Sequence, residues 1–210
     1  MKSLTKLALV LALTTVTLTP AASFTTIAQP DAAYLAGTTL ISITDPDITQ
    51  LNSITDGTLT VNFSAPVEVR TVPGSWSTWS SPPFSETSTP RVLWTQSRNL
   101  IALSFSSVVQ TFGFEAEPND FSVNPFTADF YNGASLVGSI NLNVDGNAGA
   151  RLFAASSITG FDSVVITSTG DFAFAQLRYG EEIPPVPEPA TMALVGVGLM
   201  GVLAKRRARK

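Results

Sequence analysis

The segment Phe112-Gly113-Phe114-Glu115-Ala116-Glu117 decides the fold, because its side chains alternate between apolar and small or charged. Successive side chains of a β-strand point to opposite faces of the sheet. The pattern therefore predicts a strand, running from Val108 to Glu117, with one face in the core. The core-facing residues are predicted to be Phe112, Phe114 and Ala116, and the outward-facing ones Gly113, Glu115 and Glu117.

Similar apolar stretches, several with the same alternation, recur on both sides of this strand. They are Thr58 to Ser64, Leu100 to Phe105, Ser135 to Val144, Ser163 to Thr167 and Phe172 to Tyr179. The dipeptides Asp56-Gly57, Asn132-Gly133 and Asp145-Gly146 are turn signals between strands. No segment outside the two ends of the chain shows a sustained 3.6-residue period. The sequence thus predicts an all-β domain over residues 29–183, an antiparallel β-sandwich of jelly-roll type.

The composition excludes several kinds of chemistry, because the 210 residues include neither Cys nor His. A Ser-His-Asp or Cys-His nucleophile needs an imidazole base, and the usual zinc sites need Cys or His ligands. Disulfides are absent as well, so hydrophobic packing alone must stabilise the domain. About 150 residues bury enough surface to do so.

The charges are segregated along the chain. Residues 24–183 contain five Arg, no Lys and 15 acidic residues, a net charge of −10, whereas the whole chain has −4. An acidic domain without lysine repels nucleic acid phosphates, so nucleic acid is excluded as a partner. The remaining basic residues lie at the two ends, where they indicate membrane topology.

The N-terminal end has the features of a secretory signal peptide, predicted here for residues 1–28. Lys2 and Lys6 precede the apolar stretch from Leu7 to Leu18, and Pro20 and small residues follow. Cleavage is predicted after Ala22, Ser23 or Ala28. The partners implied are an export translocon and a signal peptidase.

The C-terminal end, residues 184–210, consists of three parts. Pro184 to Pro189 form a stiff proline-rich spacer, residues 190–204 a predicted transmembrane helix, and the last six residues a basic cluster. Fifteen helical residues span about 22 Å, less than the roughly 30 Å of a bilayer core. The positive-inside rule places the basic residues in the cytoplasm. They are Lys205, Arg206, Arg207, Arg209 and Lys210.

The order of Val186-Pro187-Glu188-Pro189-Ala190, apolar helix and basic cluster resembles the PEP-CTERM sorting signal. That signal occurs on exported proteins of Gram-negative bacteria, often ones that make extracellular polysaccharide. The resemblance implies recognition at Pro187, Glu188 and Pro189 by an exosortase-type membrane enzyme that removes the tail. It also implies a transient stay in the inner membrane with the domain on the periplasmic side, then the cell surface or matrix. The alternative is a plain single-span anchor with a proline-rich stalk.

Three blocks of the domain resemble β-sandwich ectodomains of PEP-CTERM proteins, whose functions are mostly unknown. They are Phe112 to Pro118, Gly149 to Phe153 and Phe172 to Gly180. Many such ectodomains have Asp where this chain has Gln176, so a role that depends on that carboxylate does not carry over.

Aromatic residues cluster around the Ser- and Pro-rich stretch 73–90. Trp76, Trp79, Phe84 and Trp94 form this cluster. Aromatic rings on a loop stack on sugar rings in some proteins, and Trp76 and Trp79 are the candidates for such contact. The favoured interpretation is that these rings pack at one end of the sandwich, where large aromatic side chains are common.

Glu115, Glu117 and Asp120 lie within six residues of each other. Such an oxygen-rich cluster is a candidate structural Ca²⁺ site, although its spacing is not that of an EF-hand. Two carboxylates about 5–10 Å apart also serve as a glycosidase pair. The simplest interpretation is an acidic, solvated outer face, without a metal or cofactor.

The sequence therefore predicts an exported, non-enzymatic protein of the cell envelope or extracellular matrix. The main alternative is a carbohydrate-binding module acting in exopolysaccharide. A carboxylate-dependent hydrolase is a weaker alternative.

Overall fold

The computed structural model of this chain describes residues 24–181. Residues 1–23 of the predicted signal peptide lie outside this range, as do the proline-rich spacer, the predicted transmembrane helix and the basic cluster. Within residues 24–181, no helix is both long and apolar enough to cross a bilayer.

The described residues form ten β-strands and one short α-helix. In chain order they are β1 (Thr25–Ile27), α1 (Ala32–Gly37), β2 (Thr39–Leu40), β3 (Gln50–Thr55), β4 (Thr60–Thr71), β5 (Arg91–Trp94), β6 (Leu100–Pro118), β7 (Val123–Asn132), β8 (Ser135–Asp145), β9 (Arg151–Thr167) and β10 (Phe172–Gly180). Every strand pairing is antiparallel. The predicted all-β, antiparallel fold is therefore confirmed.

Strand β6 bends sharply and takes part in two layers of the fold. The ring centroids of Phe105 and Phe112 are 4.3 Å apart. In a straight strand, residues seven positions apart would be separated by roughly 23 Å. The register with β9 shifts between Ser104 and Thr111, so a bulge makes the bend. The two strands predicted at Leu100–Phe105 and Val108–Glu117 are thus the two arms of one strand.

The first layer contains β8, β7, the C-terminal half of β9, the first arm of β6 and the start of β4, in that order. The second layer contains β1, the N-terminal half of β9, the second arm of β6, β10, β5 and the end of β4, with β2 beside β10. This sandwich-like arrangement agrees with the sequence analysis, and the jelly-roll topology stays a prediction.

A phenylalanine-rich core fills the space between the layers. Phe63 of the first layer meets Phe174 of the second at 5.8 Å between ring centroids. Phe126 of β7 likewise contacts Phe153 and Phe172. The predicted inward-facing residues of β6, Phe112, Phe114 and Ala116, are fully buried in this core.

The strands predicted at Ser135–Val144 and Phe172–Tyr179 correspond closely to β8 and β10. The segment Ser163–Thr167 is the end of a longer strand, β9, and the segment at Thr58–Ser64 is the start of β4. The three turn dipeptides each connect two consecutive strands, as predicted. Helix α1 was not predicted; Asp31 begins it by accepting a 2.8 Å hydrogen bond from the Tyr34 backbone amide.

The N-terminal part of the described chain is integrated into the fold. The Phe24 ring packs edge-on against Phe130 and Phe161 and lies directly over Gly138. Strand β1 pairs with residues 154–156 of β9. Residues 24–28, assigned above to the signal peptide, therefore include structural residues. Cleavage after Ala22 or Ser23 would leave them on the domain, whereas cleavage after Ala28 would remove them.

We expect the exported protein to begin at Ser23 or Phe24. Loss of Phe24 would expose Phe130 and Phe161. Loss of β1 would remove the partner strand from one side of residues 154–156, which β6 pairs on the other side, and this also costs stability. Intact-mass spectrometry of the processed protein measures its N-terminus directly. A mature chain that begins at Gln29, with the thermal stability of one that begins at Phe24, would contradict this assignment.

Candidate functional site

One row of side chains crosses the outer face of the second layer, the face turned away from the phenylalanine core. Its members lie directly opposite one another on five neighbouring strands, and cross-strand partners share a face. They are Gln50, Glu68, Trp94, Ala173 and Glu117. Polar and aromatic groups from distant parts of the sequence therefore come together on this face.

Residues 72–90, here called the tryptophan loop, connect β4 to β5 and cover part of this outer face. Trp76 and Trp79 are only 6% and 4% exposed and pack in one cluster with Ala173 and Ala175. Strand β10 alternates Phe and Ala, so its large rings enter the core and its small methyl groups face outward. The alanines leave the room in which the indoles lie.

Each indole of the tryptophan loop donates a hydrogen bond to a glutamate of β6. Trp79 Nε1 donates to Glu115 Oε2 at 2.8 Å, and the Glu86 backbone amide donates to Oε1 at 2.6 Å. Trp76 Nε1 donates to Glu117 Oε2 at 2.9 Å. The Glu117 Oε1 atom accepts from the Gly149 amide at 3.1 Å and from the Thr78 hydroxyl at 3.3 Å. All four carboxylate oxygens thus have donors.

A partly buried ion pair between Arg178 and Glu86 also holds the tryptophan loop on the sheet. Arg178 of β10 binds both oxygens of Glu86, through Nε at 2.6 Å and Nη2 at 3.0 Å. The same guanidinium donates to the carbonyl of Thr38 at 3.1 Å. The Glu86 backbone amide also binds Glu115. Glu86 therefore connects the tryptophan loop to β6 directly, to β10 through Arg178, and through the same arginine to Thr38 at the end of α1.

The buried glutamates ionise near neutral pH. Burial, which disfavours the charged form, raises the pKa of Glu115 to about 7 and that of Glu117 to about 7. The hydrogen bonds from Trp79 and Trp76 act in the opposite direction, because they favour the ionised carboxylates. The interaction between the loop and the sheet is therefore coupled to proton binding.

Glu115 and Glu117 point away from the core, as predicted. They are not exposed to solvent, however, because the tryptophan loop covers both side chains completely. The interpretation of a solvated acidic face therefore fails for these two residues. Trp76 and Trp79 lie with their rings packed on the sheet, which supports the packing interpretation over stacking on a sugar.

Asp120 belongs to a separate polar turn. Its Oδ1 accepts hydrogen bonds from the Ser122 hydroxyl at 2.8 Å and from Asn124 Nδ2 at 2.6 Å. The Ser122 hydroxyl is the main reason that the pKa of Asp120 is lowered. Among residues 24–181, no three acidic side chains come together as a metal site. The structure thus does not join Asp120 with Glu115 and Glu117 as calcium ligands.

Gln176 and Phe84, both noted in the sequence, lie at a bulge of β10 and at the edge of the tryptophan loop. Gln176 lies at a bulge in β10, between the paired residues Ala175 and Arg178, with a left-handed φ of 51°. Phe84 is 44% exposed at the rim of the tryptophan loop, where the Arg151 guanidinium lies 4.5 Å from its ring centre.

A polar cleft that was not predicted lies beside the tryptophan loop and is here called the Arg70 cleft. Its volume is about 180 Å³, and it is lined by Arg70, Ser75, Trp76, Trp94 and Asn119. The Arg70 guanidinium lies 4.8 Å from the centre of the Trp94 ring and forms an ion pair with Glu68. The sequence signal was available, since Glu68 and Arg70 alternate with Val67 and Val69 of the core.

Comparison with protein families finds a PEP-CTERM protein-sorting motif at residues 185–209. The match contains Pro187, Glu188, Pro189 and the basic residues from Lys205 to Arg209, and it lies outside the described structure. Comparison with curated proteins gives no match. The motif indicates an exported protein that an exosortase sorts to the cell envelope or surface of a Gram-negative bacterium.

Proposed function

We propose that this chain is a non-enzymatic protein of the bacterial cell envelope or extracellular matrix. The observation that carries this proposal is the sorting motif at residues 185–209. A translocon and a signal peptidase act at the N-terminal end. An exosortase then recognises Pro187, Glu188 and Pro189 and releases the domain from its transient position in the inner membrane.

The charge distribution supports this route. The basic residues from Lys205 to Lys210 remain in the cytoplasm by the positive-inside rule, and the acidic domain lies on the periplasmic side. Proline-rich sequences are stiff and extended, so a spacer at residues 184–189 would separate the sorting signal from the domain. After release, the domain resides at the cell surface or in the matrix.

The burial of Glu115 and Glu117 supports a non-enzymatic role. A hydrolase needs carboxylates that reach the substrate, with one oxygen free to donate or accept a proton. Here each oxygen accepts an N–H or O–H donor beneath the tryptophan loop. This burial argues against Glu115 and Glu117 as the carboxylate pair of a hydrolase, although their pKa values are raised.

Tags at both ends of the chain test the sorting step. We expect a C-terminal tag to be lost from the exported protein in a host that contains an exosortase, and retained in a host that lacks one. Replacing Pro187, Glu188 and Pro189 together by Ala should retain the tag and leave the protein in the inner-membrane fraction. Pro184→Ala, just outside the matched residues, is the control and should be processed normally.

A tag that stays on the surface-located protein in the exosortase-containing host would refute the sorting mechanism. It would favour the single-span anchor instead.

A carbohydrate-binding module is the second candidate function, and the Arg70 cleft is the observation that favours it. The cleft combines aromatic side chains with an arginine and a carboxamide at the surface of the domain. Such mixed surfaces are typical of small-molecule and sugar sites.

A further inference from the structure

We propose that the Arg70 cleft binds one ring of a neutral, hydroxyl-rich saccharide. This inference rests on the carbohydrate-binding candidate above and is independent of how the protein is sorted. Of the two tryptophans predicted for sugar contact, Trp76 lines this cleft and Trp79 does not; Arg70, Ser75, Trp94 and Asn119 supply the other walls.

The walls of the cleft are held in place by the fold. Trp94 Nε1 donates to Asp171 Oδ2 at 2.7 Å, and Asn119 Nδ2 donates to the same oxygen at 3.0 Å. On the opposite side, the Ser75 hydroxyl donates to Asp47 Oδ1 at 2.7 Å. These bonds orient the polar groups before any ligand arrives, which reduces the entropic cost of binding.

One wall of the cleft carries an unsatisfied donor. Within residues 24–181, five buried side-chain polar atoms lack a hydrogen-bond partner, and Arg70 Nε, which belongs to the cleft lining, is one of them. Two others belong to side chains beside the cleft: Glu68 Oε1, on the ion-pair partner of Arg70, and Gln96 Nε2, on the residue that accepts a hydrogen bond from Gln50. Glu68 Oε1 lies 2.5 Å from Arg70 Nη2 as an ion pair, without the geometry of a hydrogen bond. Buried polar atoms are normally paired, so a cluster of exceptions indicates a place where a polar ligand is accommodated.

The mixture of donors and acceptors identifies the ligand class. Arg70 and Asn119 supply N–H donors, whereas Glu68, Asp47 and Asp171 supply carboxylate acceptors. A sugar hydroxyl both donates and accepts, so it suits a surface that presents both. Trp94 and Trp76 add apolar edges, against which the C–H groups of a sugar ring can pack.

The charge excludes an anionic saccharide. Arg70 is the cation of the cleft and is already paired with Glu68, while Asp47 and Asp171 flank it. The domain as a whole is strongly acidic. A uronic acid or a sulfated sugar would meet this negative field, whereas a neutral sugar would not.

The size of the cleft indicates one ring of a longer chain. Its volume of about 180 Å³ is smaller than the roughly 300–1,000 Å³ of pockets that enclose whole drug-sized ligands. The cleft is open to solvent, so neighbouring sugar units of a polysaccharide can extend beyond it.

Affinity electrophoresis of the full chain in mild detergent tests the proposal. The native gels contain a β-glucan, a galactomannan or a xylan as neutral probes, and a polyuronate as the anionic probe. We expect at least one neutral probe to retard the protein. We expect Asn119→Ala and Arg70→Lys each to weaken that retardation about tenfold, because each removes one N–H donor to the ligand.

Asn141→Ala is the matched control. Asn141 is an exposed Asn on β8 whose side chain also makes one hydrogen bond, with Thr127 at 2.8 Å, and this variant should bind like the original protein. Thermal unfolding of all variants separates loss of binding from loss of the fold. If Arg70→Lys is unstable, Asn119→Ala tests the proposal alone, because Asn119 is exposed and its replacement should not disturb the fold.

Retardation by the polyuronate alone would overturn the proposal. So would the absence of retardation by every neutral probe, or equal retardation of Asn119→Ala and the original protein. None of these outcomes affects the sorting mechanism, which is measured by the fate of the C-terminal tag.

Discussion

Replacing Trp79 with Ala is expected to lower the free energy of unfolding by about 3–5 kcal/mol, the usual cost of truncating a buried large aromatic side chain. The loss has two sources. Removal of the indole leaves a cavity over Ala173 and Ala175. It also leaves the fully buried Glu115 Oε2 without its hydrogen-bond donor. Trp76→Ala should have a similar effect through Glu117. Denaturant unfolding followed by circular dichroism measures the change.

Trp79→Phe separates the two sources, because it keeps most of the ring volume and removes the indole N–H. We expect it to cost about 1–3 kcal/mol, the penalty for leaving a buried acceptor unsatisfied. Phe121→Ala is the control, since Phe121 is 67% exposed, and should stay within about 0.5 kcal/mol of the original protein. If Trp79→Ala were as mild as Phe121→Ala, the tryptophan loop would not be packed on the sheet in solution.

The alternation of side chains predicted the faces of β6 correctly but could not predict what covers them. Phe112 and Phe114 enter the core as their spacing indicates. Glu115 and Glu117 follow the same period on the other face, where periodicity alone suggests solvent. Their cover comes from residues 72–90, which have no regular period. The packing is a contact between distant segments, and local sequence patterns do not report such contacts.

A proline and a bulge account for two of the differences between the predicted and observed strand boundaries. The predicted strand at Thr58–Ser64 stops short of Pro66, and proline cannot donate to a strand ladder. In the structure, Pro66 lies where the pairing of β3 with β4 shifts register, between Asn62 and Val67, so the strand continues to Thr71. The polar residues Ser106 and Ser107 likewise separated two predicted strands that the bend of β6 connects.

The Arg70 cleft could not be predicted from the strand at Thr58–Ser64, because Glu68 and Arg70 lie beyond its end. Trp94 belongs to the predicted aromatic cluster, but its position opposite Glu68 depends on the pairing of β5 with β4. Side chains that meet across strands become predictable only when the strand order is known.

Raising the pH from about 4.5 to 7 is expected to lower the stability of the domain. In this interval the folded protein keeps protons on Glu115 and Glu117, whose pKa values are raised from 4.5 to about 7 by burial, whereas the unfolded chain releases them. Stability falls with pH wherever the folded state binds more protons. Each unit of pKa difference corresponds to about 1.4 kcal/mol, so the two groups together dominate the profile.

Other carboxylates act in a different pH range. The pKa of Asp120 is lowered by its hydrogen bonds from Ser122, and that of Asp56 by the amides of Leu59 and Thr58 in spite of its slight burial. These two groups stabilise the fold above their unfolded pKa, and their contribution is lost as the pH falls below about 4. The predicted maximum of stability therefore lies near pH 4 to 5, at or below the acidic end of the usual range of about pH 5 to 8.

The double variant Glu115→Gln, Glu117→Gln tests this assignment through the slope of the profile. An amide does not titrate, so the fall in stability between pH 4.5 and 7 should disappear. Its absolute stability is a poorer measure, because each amide turns an N–H₂ group towards a donor such as Trp79 or the Glu86 backbone. Urea unfolding at intervals of half a pH unit gives the slope. A flat profile for the original protein over this range would mean that the two carboxyls do not titrate beneath the tryptophan loop.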